Sequence, residues 1–566
     1  MNRWWLRRES LWVLGLLLLI AGYQAFGDRA DPCGGDTVPP AAAAGHGAAG
    51  LPAGQSVTVA GTVSARFLGD DALGGFFLQG PDRDDATASA VFVYAPGLDR
   101  AQRQRVRPGA RLEVRGTTDR FHGRPQVHRV RSVYRCGQGE RPEPRELREL
   151  PGPDTRGRLE GQLVRYPGEL VVTGNRRLGR YGSLTLARQR VRRAGSDRDP
   201  GATLVLDDGR YDTRPEPVPH RDPDTGTRRA GDRVAGLTGI VTHAFGRWRL
   251  HPVASPRWQT ANPRPARPPD VGDGVRAAAF NVQNYFLETG DRGAPDAAAL
   301  ARQRQRLGAT LDGLDADLLA LQEVGNNDAA ARDLMEQVDD ARNYRVLTGA
   351  DPGDDAIRTV IAYRPGRLEL VAGPFRDSAA VHDRPPQAAV VRPPDGEPLL
   401  AVSVHFKSKA RCPETGDVDQ GQGCWNARRV QQARALVAFA QRQAQRHGVA
   451  AILLLGDFNS YRHEEPMRIL KEAGFRDLVA RLGTRGEGYT YVYNGVAGTL
   501  DYALGNRAMD RRTRGAGVWH SNADEPPVVG YQGRLANTAD GTPYRASDHD
   551  PVLVGIGARG EGARSE

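Results

Sequence analysis

The chain has 566 residues, too many for one hydrophobic core, so a single domain is excluded and two or three are expected. A net charge of +10 and a pI near 9.6 favour a polyanionic partner only weakly, because charge governs association and solubility rather than fold. Only three of the 78 cationic residues are lysines, which is typical of an arginine-biased genome and does not by itself indicate a nucleic-acid surface.

The first 27 residues form a predicted targeting segment. Three arginines precede an uncharged, mostly apolar run over residues 11–26, an order typical of a secretory signal peptide. The alternative is an uncleaved membrane anchor, because the run is only slightly short for a membrane span. No other segment is comparably apolar, so we expect a secreted or periplasmic monomer that touches a membrane only through this segment.

The four cysteines suit an oxidising compartment. They allow three disulfide pairings, and the sequence alone does not choose among them. We favour Cys33–Cys136 and Cys412–Cys424, because each pair brackets one predicted module. A zinc site is the rival, but neither pair has the close spacing or the nearby histidines of one.

Composition marks the boundaries between domains. Residues 28–54 form a flexible linker rich in Pro, Ala and Gly, and Pro-rich connections occupy residues 137–154 and 255–274. Residues 55–136 contain five short alternating segments separated by turn residues, which predict a small barrel of the oligonucleotide/oligosaccharide-binding (OB) type. Residues 155–254 predict a second β-rich module.

Aromatic residues fall on the second and third strands of the predicted barrel, a face that such barrels use to stack bases. They are Phe76, Phe77, Phe92 and Tyr94. Neighbouring residues of a strand point to opposite faces, so at least one of Phe76 and Phe77 is expected in the core. The alternative to base stacking is that half of the group is simply core.

From residue 275 to 557, strand-like and helix-like segments alternate, which predicts a layered α/β domain. Its apolar strands end in an acid, an amide or a histidine, and polar groups at strand ends collect along one rim of a sheet, where a cleft can form. The strand-end residues are Asn281, Glu323, His405, Asp457, Asn459 and Asp501, with Asp548 and His549 just before the last strand. One such Asp alone is normally a turn former or a helix cap, but the series predicts a catalytic site.

The residue types suit metal-assisted hydrolysis. Hard divalent cations take oxygen ligands, so Glu323 and Asp548 are the candidate metal ligands, with Asn281 in support. Mg²⁺ is the expected cation, with Ca²⁺ or Mn²⁺ as alternatives. A carboxylate holds an imidazole in one tautomer, so His549 and Asp501 form a candidate general-base pair.

Asp457 and Asn459 lie two residues apart and point the same way if the strand stays extended there. We expect one of them to orient a water molecule and the other to hold a phosphate oxygen.

These motifs resemble those of the endonuclease/exonuclease/phosphatase superfamily, in which FNVQN, LQEV, HFKSK, GDFN, TLDYAL and SDHDPV occur in this order. Further segments look like those of secreted bacterial nucleases with an OB-type module before that domain, namely GGFFLQ, RYGSLTLA, LDDG, HFKSKARC, GQGCWNARR and NADEP. The resemblance spans about residues 55–557. It implies a multidomain chain whose C-terminal domain is a four-layer α/β sandwich of the deoxyribonuclease I-like fold.

The resemblance implies the site roles given above and adds His405 as a second acid/base or phosphate donor. Lys407 and Lys409 follow it directly in a chain that otherwise uses arginine. A compact ammonium meets a phosphate where a guanidinium fork does not fit, so both lysines are predicted to bind phosphate. The alternative is a strand end that tolerates either cation.

Two acidic loops have less specific predictions. The loop that carries Asp417 and Asp419 is predicted to shape the cleft wall or to bind structural calcium. Asn522, Asp524 and Glu525 are expected to be structural.

The sequence therefore predicts a secreted metal-dependent nuclease that hydrolyses extracellular DNA, or RNA, by His/Asp-assisted attack of water. The first alternative is a phosphodiesterase or phosphatase for a phospholipid or sugar phosphate, because the same residues hydrolyse other phosphoesters. The predicted barrel and the basic charge favour nucleic acid. The second alternative is a non-catalytic nucleic-acid-binding or adhesion protein, which the intact series from Asn281 to His549 disfavours.

Overall fold

The computed structural model describes residues 33–46, 50–80, 88–152, 155–193, 202–290, 292–339, 343–349, 351–394, 396–483 and 488–557. The predicted targeting segment and residues 558–566 lie outside these residues. Within them, no helix is long and apolar enough to span a membrane.

Long-range contacts divide the chain into two units. The first comprises Met1–Arg165, Gly209–Tyr211 and Thr238–Ala254. The second comprises Tyr166–Asp208, Asp212–Leu237 and Ser255–Glu566. The segment 155–254, predicted as one module, therefore contributes to both units, and its bounds as a separate domain stay a prediction.

A closed five-stranded barrel lies in the first unit, as predicted, in the order β1-β2-β3-β5-β4. Its strands are β1 (Ser56–Phe67), β2 (Gly75–Gln79), β3 (Ala90–Tyr94), β4 (Ala110–Phe121) and β5 (Arg124–Gln138). Two short helices, α1 (Pro40–Ala43) and α2 (Arg100–Arg105), belong to the same unit. Alternate valines such as Val59, Val63 and Val114 fill the barrel interior. Its assignment to the OB type stays a prediction.

The aromatic residues predicted to stack on bases are mostly core. Phe76 packs inside the barrel, while Phe77 lies 4.8 Å from Phe92 in a separate buried cluster on the other side of the strand. Because both faces of β2 are covered, base stacking by these three phenylalanines is wrong. Tyr94 is the one member of the predicted group that is exposed.

The cysteines pair as predicted. Cys33 bonds to Cys136 in the first unit and Cys412 to Cys424 in the second, with Cα–Cα distances of 5.7 and 5.3 Å. All four cysteines are used, so the zinc alternative is wrong.

Short strands follow the barrel. They are β6 (Arg145–Glu146), β7 (Leu163–Gly174), β8 (Leu184–Ala187), β9 (Leu204–Leu206), β10 (Arg233–Ala244), β11 (Arg247–Pro252) and β12 (Arg257–Gln259). Two one-turn helices accompany them, α3 (Arg156–Leu159) and α4 (Leu178–Tyr181). Strands β7, β8 and β9 pair antiparallel in sequence order, and β10 and β11 form a tight hairpin.

Two six-stranded sheets form the rest of the second unit, in the orders β15-β16-β14-β13-β26-β25 and β17-β18-β19-β20-β24-β21. The strands of the first sheet are β13 (Val275–Tyr285), β14 (Leu318–Gly325), β15 (Arg345–Val346), β16 (Ile357–Tyr363), β25 (Thr513–Val518) and β26 (Val552–Ile556). Those of the second are β17 (Glu369–Arg376), β18 (Gln387–Arg392), β19 (Leu399–His405), β20 (Ala451–Asp457), β21 (Arg476–Asp477) and β24 (Asp501–Gly505). A separate hairpin consists of β22 (Tyr491–Tyr493) and β23 (Val496–Gly498). The helices are α5 (Ala297–Leu314), α6 (Asp328–Glu336), α7 (Asn426–Arg446), α8 (Glu465–Glu472), α9 (Leu478–Leu482) and α10 (Arg507–Arg512), with 3₁₀ turns at Pro527–Val529 and Ala536–Ala539.

Alternation along the central strands sorts their side chains into layers. On β13, Phe280 shares a buried cluster with residues of α5, whereas Ala279 packs with Leu453 of the second sheet. On the second sheet, Val404 packs with Leu436 of α7. Two sheets therefore face each other and each carries helices on its outer side, which gives the four layers predicted.

A buried ion-pair network joins the segment 166–264 to the loop that carries Asp524 and Glu525. Glu525 accepts hydrogen bonds from Arg229 Nη1 at 2.5 Å and from Arg264 Nε at 2.9 Å. Asp524 forms an ion pair with Arg190 and accepts a hydrogen bond from Tyr489 Oη at 2.8 Å. The expectation of a structural role for this acidic pair agrees with these contacts.

We expect Glu525→Gln to lower the free energy of unfolding by about 3–5 kcal/mol, because it leaves the buried guanidinium of Arg229 and the partly buried one of Arg264 facing a neutral amide. Urea denaturation followed by tryptophan fluorescence measures the loss. The matched control is Glu169→Gln, whose partner Arg233 lies 3.4 Å away in a half-exposed pair and whose loss should cost below about 1 kcal/mol. Equal losses in the two variants would contradict the account.

The loss of unfolding free energy in Glu525→Gln should also depend on pH. Burial opposes ionisation of Glu525, but the charge of Arg229 holds the pKa of Glu525 below its ordinary value. A carboxyl whose pKa is lower in the folded than in the unfolded state stabilises the fold above its unfolded pKa, and this stabilisation disappears as the pH falls through the folded pKa. The gap between wild type and Glu525→Gln should therefore narrow once the pH falls below about 4.

Candidate active site

The two sheets bring the predicted strand-end residues to one rim of the domain. Strands β19 and β20 run parallel, so that their last residues, His405 and Asp457, lie side by side. Strand β24 runs antiparallel to β20, which places its first residue, Asp501, beside Asp457. The eight residues that meet here form the rim cluster, namely Asn281, Glu323, His405, Asp457, Asn459, Asp501, Asp548 and His549.

Asn281 connects the two sheets at this rim. Its amide nitrogen donates to Glu323 Oε1 at 3.0 Å and to Asp457 Oδ2 at 3.3 Å. The side chain is fully buried, and its own carbonyl oxygen accepts a hydrogen bond from the backbone N–H of Gln283 at 3.0 Å. Asn281 thus fixes the Glu323 carboxylate in place.

Irregular backbone directs Glu323 into the cluster. The pairing register of β14 with β16 shifts between Leu321 and Val324, and Glu323 between them has a φ of 64°. Such a left-handed conformation is costly for a residue other than Gly, Asn or Asp and is typical of functional positions. The second carboxylate oxygen accepts a hydrogen bond from the backbone N–H of Asn284 at 2.9 Å.

His549 and Asp501 form the predicted pair. The His549 Nδ1 atom lies 2.7 Å from Asp501 Oδ2, and both residues are buried. The hydroxyl of Thr490 accepts a hydrogen bond from the Asp501 backbone N–H at 3.1 Å, and the ring of Tyr491 lies 4.7 Å from that of His549. These neighbours fix the imidazole so that Nε2 is the ring nitrogen turned away from Asp501.

Asp457 lies at the centre of the cluster. The backbone N–H of Asn459 donates to Asp457 Oδ1 at 2.8 Å, and the Asn459 amide donates to Asp457 Oδ2 at 3.2 Å. His405 Nε2 lies 3.5 Å from the same Oδ2. The carboxylate beside His405, which the sequence did not identify, is therefore Asp457.

The rim cluster concentrates negative charge on carboxylates that are buried or partly buried. Burial and the charge of Asp548 raise the pKa of Glu323, and burial and the charge of Asp501 raise the pKa of Asp457 to about 7. Burial disfavours a charged His549 ring, but the Asp501 carboxylate holds the pKa of His549 well above its ordinary value. The raised pKa of each of these three groups indicates a site in which added positive charge is stabilising.

The donor set fits a hard divalent cation. Glu323 and Asp548 supply carboxylate oxygens whose mutual repulsion a cation would relieve, with the Asn281 amide beside them. Carboxylate oxygens of Asp457 and Asp501 and a ring nitrogen of His549 also lie within 4.8 Å of one another. The residues present thus match the predicted cation chemistry, while the individual ligand roles stay predictions.

An arginine that the sequence did not single out lies next to His405. Arg384 donates from Nη2 to the carbonyl oxygen of Phe406 at 2.5 Å and from Nη1 to Asp355 Oδ2 at 3.3 Å. Burial and the charge of Arg384 lower the pKa of His405 well below its ordinary value, so this ring stays neutral. Arg384 lies in a Pro-rich loop rather than at a strand end, and the strand-end pattern therefore missed it.

Ser547 is a second residue that the strand-end pattern missed. Its hydroxyl donates to the backbone carbonyl of Asn281 at 2.6 Å and accepts a hydrogen bond from the His549 backbone N–H at 3.1 Å. Ser547 thereby ties the loop of Asp548 and His549 to β13.

The two lysines after His405 have different surroundings. Lys409 Nζ is largely buried, 2.5 Å from Glu464 Oε2, and burial lowers the pKa of Lys409 to about 8. Lys407 Nζ is half-exposed, 3.7 Å from Asp383 Oδ2 and 5.2 Å from the ring centre of Trp425. These contacts favour a structural role for Lys409 and leave Lys407 as the better candidate for phosphate binding.

The nearby acidic loop is held by its own backbone. Asp417 accepts hydrogen bonds from the backbone N–H groups of Ala427 and Arg428, at 2.9 and 2.8 Å, in the first turn of α7. Asp419 accepts hydrogen bonds from Gly421 and Gly423. Asp417 therefore caps a helix, and calcium binding by this loop stays a prediction.

The C-terminal domain matches a known protein family. Residues 278–549 match the model of the Endonuclease/Exonuclease/phosphatase family. This span includes every member of the rim cluster. The chain is therefore multidomain, with a C-terminal endonuclease/exonuclease/phosphatase domain of the deoxyribonuclease I-like fold.

Solved structures similar to this chain each cover 50% of it. One is a functionally unknown conserved protein from Enterococcus faecalis, at 14% identity, 100% coverage of that chain and a TM-score of 0.35. Another is D. rerio TDP2 complexed with single strand DNA product, at 16% identity, 97% coverage and a TM-score of 0.33. A third is a Bacteroides thetaiotaomicron mannosyl-6-phosphatase, at 14% identity, 99% coverage and a TM-score of 0.35. A comparison with curated proteins found no match.

The lysines provide a test within the site. We expect Lys407→Gln to raise the KM for a phosphoester substrate several-fold with kcat nearly unchanged, because the predicted phosphate contact would be lost. Lys409→Gln should instead lower the melting temperature, because it leaves the buried Glu464 carboxylate without its cation.

The matched control is Lys471→Gln, which removes the third lysine from the exposed face of α8 and should change neither quantity. A rise in KM for Lys409→Gln alone, at full stability, would reverse the two assignments.

Proposed function

We propose that this protein is an exported, divalent-metal-dependent nuclease that hydrolyses phosphodiester bonds of extracellular DNA or RNA by attack of water on phosphorus. The observation that carries the proposal is the His549–Asp501 pair at 2.7 Å, beside the Glu323 and Asp457 carboxylates that Asn281 joins. A family whose members are endonucleases, exonucleases and phosphatases is consistent with this chemistry.

His549 is the general base of the proposed reaction, a role that requires its neutral ring. A cation held beside Asp548 would offset part of the negative charge that raises the pKa of His549 and so favour that neutral form. Asp501 holds Nδ1, so Nε2 accepts the proton of the attacking water while the new phosphorus–oxygen bond forms. The bond from phosphorus to the leaving sugar oxygen breaks, that oxygen takes up a proton from solvent water, and His549 then releases the proton that it accepted to solvent. The buried Asp501 carboxylate stabilises the His549 imidazolium that forms, because it lies 2.7 Å from Nδ1 of that ring.

Asp457, Asn459 and His405 position the reacting groups. Asp457 is held by the Asn459 backbone and amide, so one side of the cluster presents oxygen atoms in a fixed orientation. His405 stays neutral, so it has one ring nitrogen that donates and one that accepts, as a second acid/base or a phosphate donor requires.

The proposed cation is held by Glu323 and Asp548, with Asn281 beside them. When bound there, Mg²⁺, or alternatively Ca²⁺ or Mn²⁺, supplies positive charge that stabilises the phosphoryl oxygens. The protein contributes a preformed set of oxygen donors, because Asn281 and the Asn284 backbone already orient both Glu323 oxygens.

The exported location is part of this proposal. A basic segment followed by an apolar run at the N-terminus supports it, and so do the two disulfides, which persist in oxidising compartments.

The proposed activity predicts metal-dependent cleavage of plasmid DNA. Supercoiled plasmid should be nicked with Mg²⁺, Mn²⁺ or Ca²⁺ and stay intact with EDTA. His549→Ala should lower kcat by about 10²–10⁴-fold with little change in DNA binding, because it removes the proton acceptor and no charged phosphate contact. A gel-based nicking assay measures the rate.

The matched control is His447→Ala, which removes a half-buried histidine near the other end of strand β20 and should keep full activity. Wild-type activity in His549→Ala would exclude it as the base. Activity on a phospholipid or sugar phosphate, with none on DNA or RNA, would assign the site to the other substrate class.

A further inference from the structure

A row of exposed aromatic rings lies on the first unit, outside the rim cluster. Phe121 is 42% exposed, Tyr211 is 44% exposed and Phe245 is 61% exposed, and His122 lies exposed between them. Ring centres in the row are 6.4 Å apart from Tyr211 to Phe121, 4.4 Å from Phe121 to His122 and 5.0 Å from His122 to Phe245. These four residues are called the aromatic row.

Two members of the row occupy positions where an aromatic residue is unfavourable. His122-Gly123 and Phe245-Gly246 are the two-residue turns of the hairpins β4–β5 and β10–β11, and all four residues have positive φ. The φ of His122 is 47° and that of Phe245 is 54°. Such turns favour Asn or Asp before the Gly, because left-handed backbone is costly for other side chains.

The turn geometry presents the rings rather than hiding them. A hairpin tip with Asn-Gly would have formed the same turn at lower cost, and a large exposed ring adds no buried area that offsets the strain. Strain that the fold does not require is typical of binding sites. The aromatic residues at these two tips therefore indicate a ligand.

Positive charge surrounds the row. Strands β4 and β5 carry seven arginines against two acidic residues over residues 110–138. Arg124 is itself buried and donates from Nη2 to Tyr211 Oη at 2.6 Å, so it holds that ring, and the partly buried Arg249 guanidinium lies 5.3 Å from the ring centre of Phe245. One of the two acids, Asp119, accepts a hydrogen bond from Gln126. The ligand that fits has flat apolar faces and a polyanionic backbone.

We propose that the aromatic row is a stacking surface for single-stranded nucleic acid. This inference rests on the proposed function for its ligand class, nucleic acid. It adds a binding site for that ligand on the first unit, separate from the rim cluster. Unpaired bases stack on such rings with little sequence preference, while arginines meet the phosphates. Bases in a duplex are already stacked on each other, so the row selects single strands.

The test is the binding of the full chain to fluorescein-labelled oligothymidylate and to a duplex of the same length, measured by fluorescence anisotropy. EDTA is present so that hydrolysis does not contribute. Phe121→Ala and Phe245→Asn should each weaken single-strand binding about tenfold and leave duplex binding nearly unchanged. The conservative variants Phe121→Tyr and Phe245→Tyr should keep the affinity.

Phe245→Asn also separates ligand binding from a structural role. Asn is favoured in this turn, so the variant should unfold at the same or a higher temperature while it binds more weakly. Tyr181→Ala is the matched control, because it removes a ring of 39% exposure from outside the row and should leave the affinity unchanged.

Several results would overturn the proposal. The first is wild-type affinity for single strands in both Phe121→Ala and Phe245→Asn. The second is an equal loss of affinity for single strands and duplex in these variants. The third is that the wild-type protein binds no single strand, and that the variants instead lose binding to anionic phospholipid vesicles. Single-strand binding that depends on the row in a protein that cleaves no nucleic acid would reject the proposed nuclease activity and keep this inference. Plasmid cleavage with ring-independent binding would reject this inference alone.

Discussion

The second unit depends on one electrostatic constraint, the convergence of four carboxylates at one rim, where Asp457 and Asp501 are buried and Glu323 and Asp548 are partly buried. Isolated buried carboxylates are costly and are found paired, hydrogen-bonded or bound to metal. Here Asp501 is paired with His549. Glu323 accepts hydrogen bonds from Asn281 and Asn284, and Asp457 accepts one from Asn459. The remaining negative charge shows in the raised pKa values of Glu323 and Asp457. A bound cation is the simplest way to balance it.

The fold supports this cluster from both sides. Parallel pairing of β19 with β20 and antiparallel pairing of β20 with β24 bring three strand ends together, and Ser547 ties the last loop to β13. Behind that loop, His520 Nδ1 lies 2.8 Å from Asp550 Oδ2, and the His520 ring stacks on Tyr489, which donates to Asp524. The buried arginine network thus extends from the segment 166–264 to the residue that follows His549. It stabilises the loop on which the proposed base depends.

The sequence allowed much of the site to be predicted, because strand ends are visible as polar residues that follow apolar runs. His549 with Asp501, and Glu323 with Asn281, were found in this way. Arg384 was missed, since it lies in a loop whose approach to His405 depends on tertiary contacts. Alternation predicts that at least one of Phe76 and Phe77 is buried, but not that both are, because it does not show that a second face of the strand is covered. The exposed aromatic row depends on turn conformations at His122 and Phe245 that composition alone does not reveal.

The most direct test of the account is the binding of Mn²⁺ to the metal-free protein, measured by electron paramagnetic resonance of the free ion. Wild type should bind Mn²⁺ saturably, and Glu323→Gln with Asp548→Asn should weaken this binding by at least about tenfold. The control Glu369→Gln removes one carboxylate from an exposed ion pair with Arg392 outside the rim cluster and should leave the affinity unchanged. Equal affinity in wild type and the double variant, or no saturable binding by wild type, would contradict a cation site at this rim.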